Sequence, residues 1–195
     1  MDEVSPVKAL IAYCTRYGAT ASTSEEIAKG LREEGFDVRV VNVKKEKMKD
    51  ISQYDLIIVG SGMKISKWCG EAESFIKKFH NELRQKKIAI FISSGAQAIH
   101  KHEGNIEAMD DAWKKNLIEK AEKYSLEPIL LGLFGGVWDY NKMGFFFRKT
   151  MGPFKELIEA AGFQEQEPGV YDTRDWDEIR KWTKNLAQKV KENET

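Results

Sequence analysis

The chain has 195 residues, with 31 Lys and Arg balanced by 31 Asp and Glu, so its formal net charge is zero. That length predicts one domain over 1–195 with a substantial core, and neutrality with no basic stripe excludes general attraction to nucleic acid. No window reaches the ~18 apolar residues of a membrane-spanning helix and no signal-peptide apolar region opens the chain, so a cytoplasmic protein is expected.

In chain order, Val7 to Tyr13 is an apolar run that reads as a buried strand. Ser22 to Glu34 reads as a helix, with Ile27, Ala28 and Leu31 on its inner face and Gly35 as its stop. Between them lies the turn Thr15-Arg16-Tyr17-Gly18-Ala19-Thr20. At a helix N-terminus, free backbone N–H groups and the positive end of the helix dipole favour an anion. Thr15 and Thr20 add hydroxyl donors, and Gly18 lets the backbone close around a bound group. No GKS or GKT ending marks a nucleotide P-loop, and no GxGxxG marks a dinucleotide site. A hydroxyl-rich cradle without a magnesium-binding Ser/Thr suits a phosphomonoester such as the ribityl phosphate of FMN. The competing reading is an ordinary strand-to-helix turn with a Thr cap.

A second strand spans about 37–43, where valines favour sheet, and the charge run Lys44 to Lys49 reads as a solvated connection. Asp55 to Gly60 is continuously apolar, hence a strand buried on both faces. It opens into the polar loop Ser61-Gly62-Met63-Lys64-Ile65-Ser66-Lys67-Trp68. Helical spacing of Ala72, Phe75, Ile76, Phe79 and Leu83 predicts a helix over 71–83. The next strand, Ile88 to Ile92, ends in Ser93-Ser94-Gly95-Ala96 and a polar stretch carrying His100 and His102, two histidines that read as solvated. A helix follows over 106–124 with Met109, Trp113, Leu117 and Ala121 inward, then a strand over 128–134. Cys14 and Cys69 stand in neither CxxC nor metal spacing and read as free thiols in a reducing compartment; no metal site is expected.

This β-α alternation predicts an α/β fold, a doubly wound five-stranded parallel sheet of order 2-1-3-4-5 with helices on both faces. Ligands of such sheets sit outside the carboxyl ends of the strands. Three of those ends carry Gly, Ser or Thr clusters, at 15–20, 61–66 and 93–96, and they converge on one crevice.

Beyond the fifth strand a helix is predicted over 143–161, divided at Gly152-Pro153. Phe145, Phe146 and Phe147 stand about 100° apart on a helix, so at least one leaves the core face. Either the helix fills a groove between the sheet and the last helix, or it offers a hydrophobic docking surface. Such a surface, with Lys142, Arg148 and Lys149 beside it, would meet an apolar substrate, a partner or the periphery of a membrane. A final helix spans about 175–191, with Trp176, Ile179, Trp182, Leu186 and Val190 as its apolar stripe.

Thr15 to Thr20 matches T-x-x-G-x-T, and the chain resembles the flavodoxin superfamily. Tyr54 to Lys64, the aromatic and basic segment after the fifth strand, and Tyr171 to Trp176 resemble the flavodoxin-domain group that includes menaquinone-dependent protoporphyrinogen dehydrogenase. The resemblance implies a flavodoxin-like FMN flavoprotein that exchanges electrons. By position, Thr15, Arg16, Tyr17, Gly18, Ala19 and Thr20 would hold the phosphate. Ser61, Gly62, Met63, Lys64 and Ile65 would run along the isoalloxazine and its N5 edge, and Ser93, Ser94, Gly95 and Ala96 would meet its pyrimidine edge. Trp68 or Tyr140 would stack on the ring.

Electron-carrier flavodoxins are acidic, whereas this chain is neutral. Lys64 and Lys67 near the ring would stabilise an anionic reduced flavin. Three readings follow: an oxidoreductase of the porphyrinogen type with a quinone acceptor, an electron carrier serving a redox partner protein, or a binding module that has lost its cofactor. In the first, Trp138 to Phe147 would receive an apolar macrocycle or quinone, with Asp139 and Tyr140 beside it. No residue stands out as catalytic.

Overall fold

The computed structural model describes residues 5–192, the side chain of Phe147 excepted. Strand β1 (Lys8–Cys14) alternates its side chains between two buried faces, as a parallel strand covered on both sides must. Ala9 and Ile11 face one cluster; Leu10, Ala12 and Cys14 face the other. Helix α1 (Ala19–Glu33), strand β2 (Asp37–Asn42) and strand β3 (Leu56–Lys64) follow. A short strand β4 (Lys67–Trp68) folds back antiparallel on β3, and helix α2 (Gly70–Leu83) leads to strand β5 (Lys87–Ser93).

Helix α3 (Gly95–His102) and helix α4 (Ile106–Trp113) come next, and a π-helical turn (Lys114–Ile118) joins α4 to helix α5 (Glu119–Lys123). Strand β6 (Leu130–Phe134) closes the main sheet, whose order is β2-β1-β3-β5-β6. The pairs along that path are parallel, which is the 2-1-3-4-5 order expected for five wound strands. One face is covered by α1 and helix α8 (Trp176–Glu192), with Ile27, Leu31, Ile179, Leu186 and Val190 at their buried centre. The other is covered by α2 and the segment around Leu117 and Ala121.

The remaining elements form a second, small layer. Strand β7 (Val137–Asp139), strand β8 (Glu165–Glu167) and strand β9 (Val170–Asp172) make an antiparallel sheet of order β7-β9-β8. Sequence patterning does not reveal it, because three-residue strands are too short to show a period and β8 is wholly exposed. Helix α6 (Phe145–Met151) and helix α7 (Phe154–Ala160) are separate, divided at Gly152-Pro153 as expected. Ile99, Tyr140, Met143, Ile158 and Tyr171 form the core of this layer.

Several boundaries differ from the sequence expectation. Helix α1 begins at Ala19, three residues early, because Gly18 serves as its N-cap at φ 104° and needs no side-chain cap. The segment 61–64 is strand rather than loop, extended by its pairing with β4. His100 and His102 lie on the last turn of α3, not on a polar loop. Cys14 and Cys69 are not free thiols but a disulfide, brought together by the β3-β4 return. No helix among the described residues is long and apolar enough to cross a membrane.

One polar cluster pins α2 to the π-helical side. Glu73 accepts hydrogen bonds from Lys123 Nζ (2.8 Å), Tyr124 Oη (2.8 Å) and Lys120 Nζ (3.1 Å). The Lys123 bond, helped by those from Tyr124 and Lys120, outweighs burial and holds the carboxyl at about 2. A carboxylate depressed on folding contributes stability above its ordinary value of 4.5, and that stability is lost as pH falls toward about 2. Glu73→Gln is therefore expected to cost about 1 kcal/mol at neutral pH, allowing for solvent screening, and nothing near pH 2. Urea unfolding at the two pH values checks this.

Candidate functional site

The carboxyl ends of β1, β3 and β5 meet the start of β7 in a narrow crevice. Its lining includes Thr15, Arg16, Tyr17, Ala19 and Thr20 from the first cluster, Gly62 and Met63 from the second, and Ser93 and Gly95 from the third. All three sequence clusters thus reach one place, because a parallel sheet aligns its strand ends. Gly136 and Val137 complete the lining and were not anticipated; the paired glycines after β6 were the available signal.

The loop before α1 is closed by the Gly18 N–H, which donates to Thr15 Oγ1 at 2.9 Å. That leaves the Thr15 hydroxyl hydrogen free to donate elsewhere. Thr20, in the first turn of α1, is 1% exposed, and its Oγ1 has no hydrogen-bond partner. Ser93 Oγ at the end of β5 is likewise buried without a partner. So is the indole N–H of Trp138, which lies against Gly95: a Cβ there would fall 2.4 Å from Trp138 Nε1. Buried polar atoms are normally paired, so the unpaired hydroxyls of Thr20 and Ser93, both in the crevice lining, mark where an outside acceptor belongs.

The helix end adds to this. The α1 N-terminus has no side-chain cap, leaving backbone N–H groups and the dipole directed at the crevice. These are the donors that a phosphate monoester and a polar ribityl chain require. The crevice holds about 30 Å³, room for a group of a few atoms and not for a flavin ring.

The other expected site residues divide into three kinds. Gly18 and Ser94 are the N-caps of α1 and α3, and Ala96 is in the first turn of α3; all three border the crevice without lining it. Lys64 and Ile65 are at the hairpin tip, with Lys64 Nζ 5.9 Å from the Tyr17 ring centroid and Ile65 72% exposed. Ser61 faces inward, where its Oγ accepts the Cys69 N–H at 3.0 Å. The Arg16 guanidinium turns to the Trp68 carbonyl at 3.1 Å.

Neither aromatic proposed to stack on a ring is available. Trp68 is 5% exposed and donates its indole N–H to the Asn116 carbonyl. Tyr140 is buried in the small layer, its hydroxyl bonded to the Met151 carbonyl, and burial pushes its pKa up. Tyr17, half-buried, is the aromatic that lines the crevice, whereas the Trp138 ring stacks on Tyr140 and Phe154 in the small layer. Asp139 is also committed: its carboxylate accepts the N–H groups of Asn141 and Lys142 and pairs with Lys142 Nζ at 2.7 Å. Phe145 and Phe146 are 75% and 84% exposed, off the core face, while the side chain of Phe147 lies outside the described residues.

A larger cavity of about 790 Å³ adjoins the crevice beyond Gly135, lined in part by Gln97, Lys101, Arg174 and Trp176. Its charges are largely paired among themselves, Lys101 with Asp175 and Glu178, and Arg174 with Asp172. Arg174 also donates to the Ala19 carbonyl and Ser22 Oγ, tying the start of α8 to the start of α1.

Comparison with known proteins agrees with this geometry. The family model of the flavodoxin domain matches residues 10–160. The protoporphyrinogen IX dehydrogenase [quinone] of Leishmania major is 23% identical over 96% of this chain and 77% of its own length. A flavodoxin of Clostridium beijerinckii is 32% identical over 44% of this chain and 63% of its own length. Among solved structures, a flavodoxin from the domain Archaea superposes with a TM-score of 0.55 at 20% identity, covering 95% of this chain and 99% of that one. Rubredoxin oxygen:oxidoreductase of Desulfovibrio gigas gives 0.54 at 16%, over 96% of this chain and 37% of that one. The chain belongs to the flavodoxin domain family and has its fold.

Proposed function

We propose that the chain binds FMN at the crevice and works as an oxidoreductase that passes electrons from a reduced apolar substrate, of the porphyrinogen kind, to a quinone. The observation that carries the cofactor is the pair of buried, unpartnered hydroxyls, Thr20 Oγ1 and Ser93 Oγ, that line the crevice beside one helix N-terminus. In this reading the 15–20 loop holds the phosphate through the Thr15 and Thr20 hydroxyls and the N–H groups opening α1. Met63, Lys64 and Ile65 on one side and Ser93, Ser94, Gly95 and Ala96 on the other flank the ring. The bound flavin supplies the two-electron chemistry, and the chain supplies orientation and electrostatics. Lys64 at the hairpin tip adds positive charge that favours an anionic reduced ring.

The substrate side rests on separate features. Exposed Phe145 and Phe146, with Lys142, Arg148 and Lys149 around them, fit an apolar ligand carrying carboxylates or the edge of a membrane that holds quinone. The adjoining cavity has the volume of a small-molecule site. Alignment of nearly the whole chain with the Leishmania dehydrogenase supports the same reading. A second reading, an electron carrier for a partner protein, is favoured by the higher identity to the Clostridium flavodoxin.

The deciding experiment is anaerobic turnover of protoporphyrinogen IX by FMN-loaded protein with a soluble menaquinone analogue, with the flavin spectrum recorded on the same sample. FMN-dependent appearance of porphyrin is expected. A bound, reducible flavin without porphyrin would move the carrier reading ahead, and no retained flavin would remove both.

A further inference from the structure

Cys14 and Cys69, 55 residues apart in sequence, are joined with their Cα atoms 5.9 Å apart, an ordinary disulfide span. Both are buried. Cys14 is the last residue of β1, directly before Thr15. Cys69 follows β4 and caps α2, and its N–H donates to Ser61 Oγ (3.0 Å) and to the Gly62 carbonyl (3.2 Å). The bond therefore ties the start of the 15–20 loop to the return of the hairpin.

One group at this junction suits the other redox state. Glu71 Oε2 lies 3.5 Å from Cys14 Sγ and 3.3 Å from Cys69 Sγ. A disulfide offers this carboxylate no hydrogen, whereas two thiols each offer one. Glu71 thus accepts S–H hydrogen bonds in the reduced form.

We propose that Cys14 and Cys69, with Glu71 as hydrogen-bond acceptor for the two thiols, form a reversible dithiol–disulfide site that sets how tightly the adjoining crevice holds its ligand. In the reducing direction the co-reactant is a low-molecular-weight thiol. Its thiolate attacks one sulfur, the Cys14–Cys69 bond breaks, and the released thiolate takes up a proton. A second thiol resolves the mixed disulfide, so one disulfide and two RSH become two cysteine thiols and one RSSR, with two electrons transferred. A low-molecular-weight disulfide drives the reverse step. The return that brings Cys69 to Cys14 is a hairpin only two residue pairs long, Met63 with Trp68 and Lys64 with Lys67. It turns through Ile65 and Ser66, both at positive φ (49° and 52°).

The link to the crevice is direct contact. Gly62 packs so closely on the loop that a Cβ there would lie 3.0 Å from Thr20 Oγ1 and 3.4 Å from the Arg16 nitrogen. The disulfide holds these two walls at that spacing, and reduction releases them, so the oxidised form is the preorganised one. This consequence rests on the FMN reading; the thiol chemistry does not.

The test uses the full chain stripped of FMN, one portion oxidised with glutathione disulfide and one reduced with dithiothreitol, each desalted without air. Alkylation after denaturation, read by intact mass, is expected to add no label to the first and two to the second. FMN fluorescence titration is expected to give a Kd at least about five-fold weaker in the reduced form. Cys69→Ser should match the reduced value whatever the oxidant. Two labels after oxidation would overturn the site, and equal Kd values for the two forms would overturn its control of the crevice. Both comparisons use the parent chain, so a misfolded variant does not decide the question. If neither form binds FMN, the cofactor reading and its control by the disulfide fall together, while the labelling still decides the thiol chemistry.

Discussion

Thr20→Val is expected to weaken FMN binding about 10- to 100-fold while leaving the folded chain as stable as the parent or slightly more stable. Valine matches threonine in shape and removes only the hydroxyl. In the free protein that hydroxyl is buried and unpaired, so its loss removes a desolvation penalty rather than a bond. With a phosphate in the crevice the same hydroxyl would donate to a charged acceptor, a bond worth about 1.5–3 kcal/mol. The two effects have opposite signs, which separates a ligand contact from a structural one. Thr23, one turn further along α1, is also buried without a partner but does not line the crevice. Thr23→Val should share the stability effect and leave affinity unchanged. Titration with FMN and thermal melts of both apoproteins test the pair. Equal affinity for Thr20→Val and the parent would remove Thr20 from the phosphate cradle.

Gly135→Ala is expected to destabilise the chain by more than about 3 kcal/mol, roughly a 6–12 °C fall in Tm at this size. A Cβ at Gly135 would lie 2.1 Å from the Thr173 carbonyl oxygen, 2.7 Å from its carbon and 2.9 Å from the Arg174 Cα. All three atoms are backbone, so no side chain can swing away. Relief would require the strand exits at Gly135 and Thr173 to separate, although they are stitched together. The Gly136 carbonyl accepts from the Thr173 N–H and Oγ1, each at 2.9 Å. Separation would also strain the Arg174 ties to the start of α1 and open the crevice wall at Gly136. Gly70→Ala is the control, since nothing lies within 4 Å of a Cβ there, and it should change stability by less than about 0.5 kcal/mol. Urea midpoints for the two variants give the comparison; a Gly135→Ala chain as stable as the parent would show that this approach is not a close one.

The sequence by itself determined the wound sheet, its strand order and the meeting of three polar clusters at one edge. The physical reason is that β1, β3 and β5 are buried on both faces, so their apolar runs are long and plain, and parallel strands place all their carboxyl ends together. The split of α6 from α7 was legible for a similar reason, because proline acts locally.

Tertiary structure alone decided the rest, wherever a residue's partner is distant in the chain. Trp68 and Tyr140 look available to a flavin ring until Asn116 and Met151 are seen to hold them, 48 and 11 residues away. Gly136 and Val137 join Tyr17 in the crevice lining because the start of the small sheet β7-β9-β8 reaches it, and strands of three residues leave no periodic trace. Cys14 and Cys69 show no local motif, and only the hairpin return of β4 onto β3 joins them. Period and composition report local preference, whereas pairing, burial and the unpaired hydroxyls of Thr20 and Ser93 exist only once the chain has closed on itself.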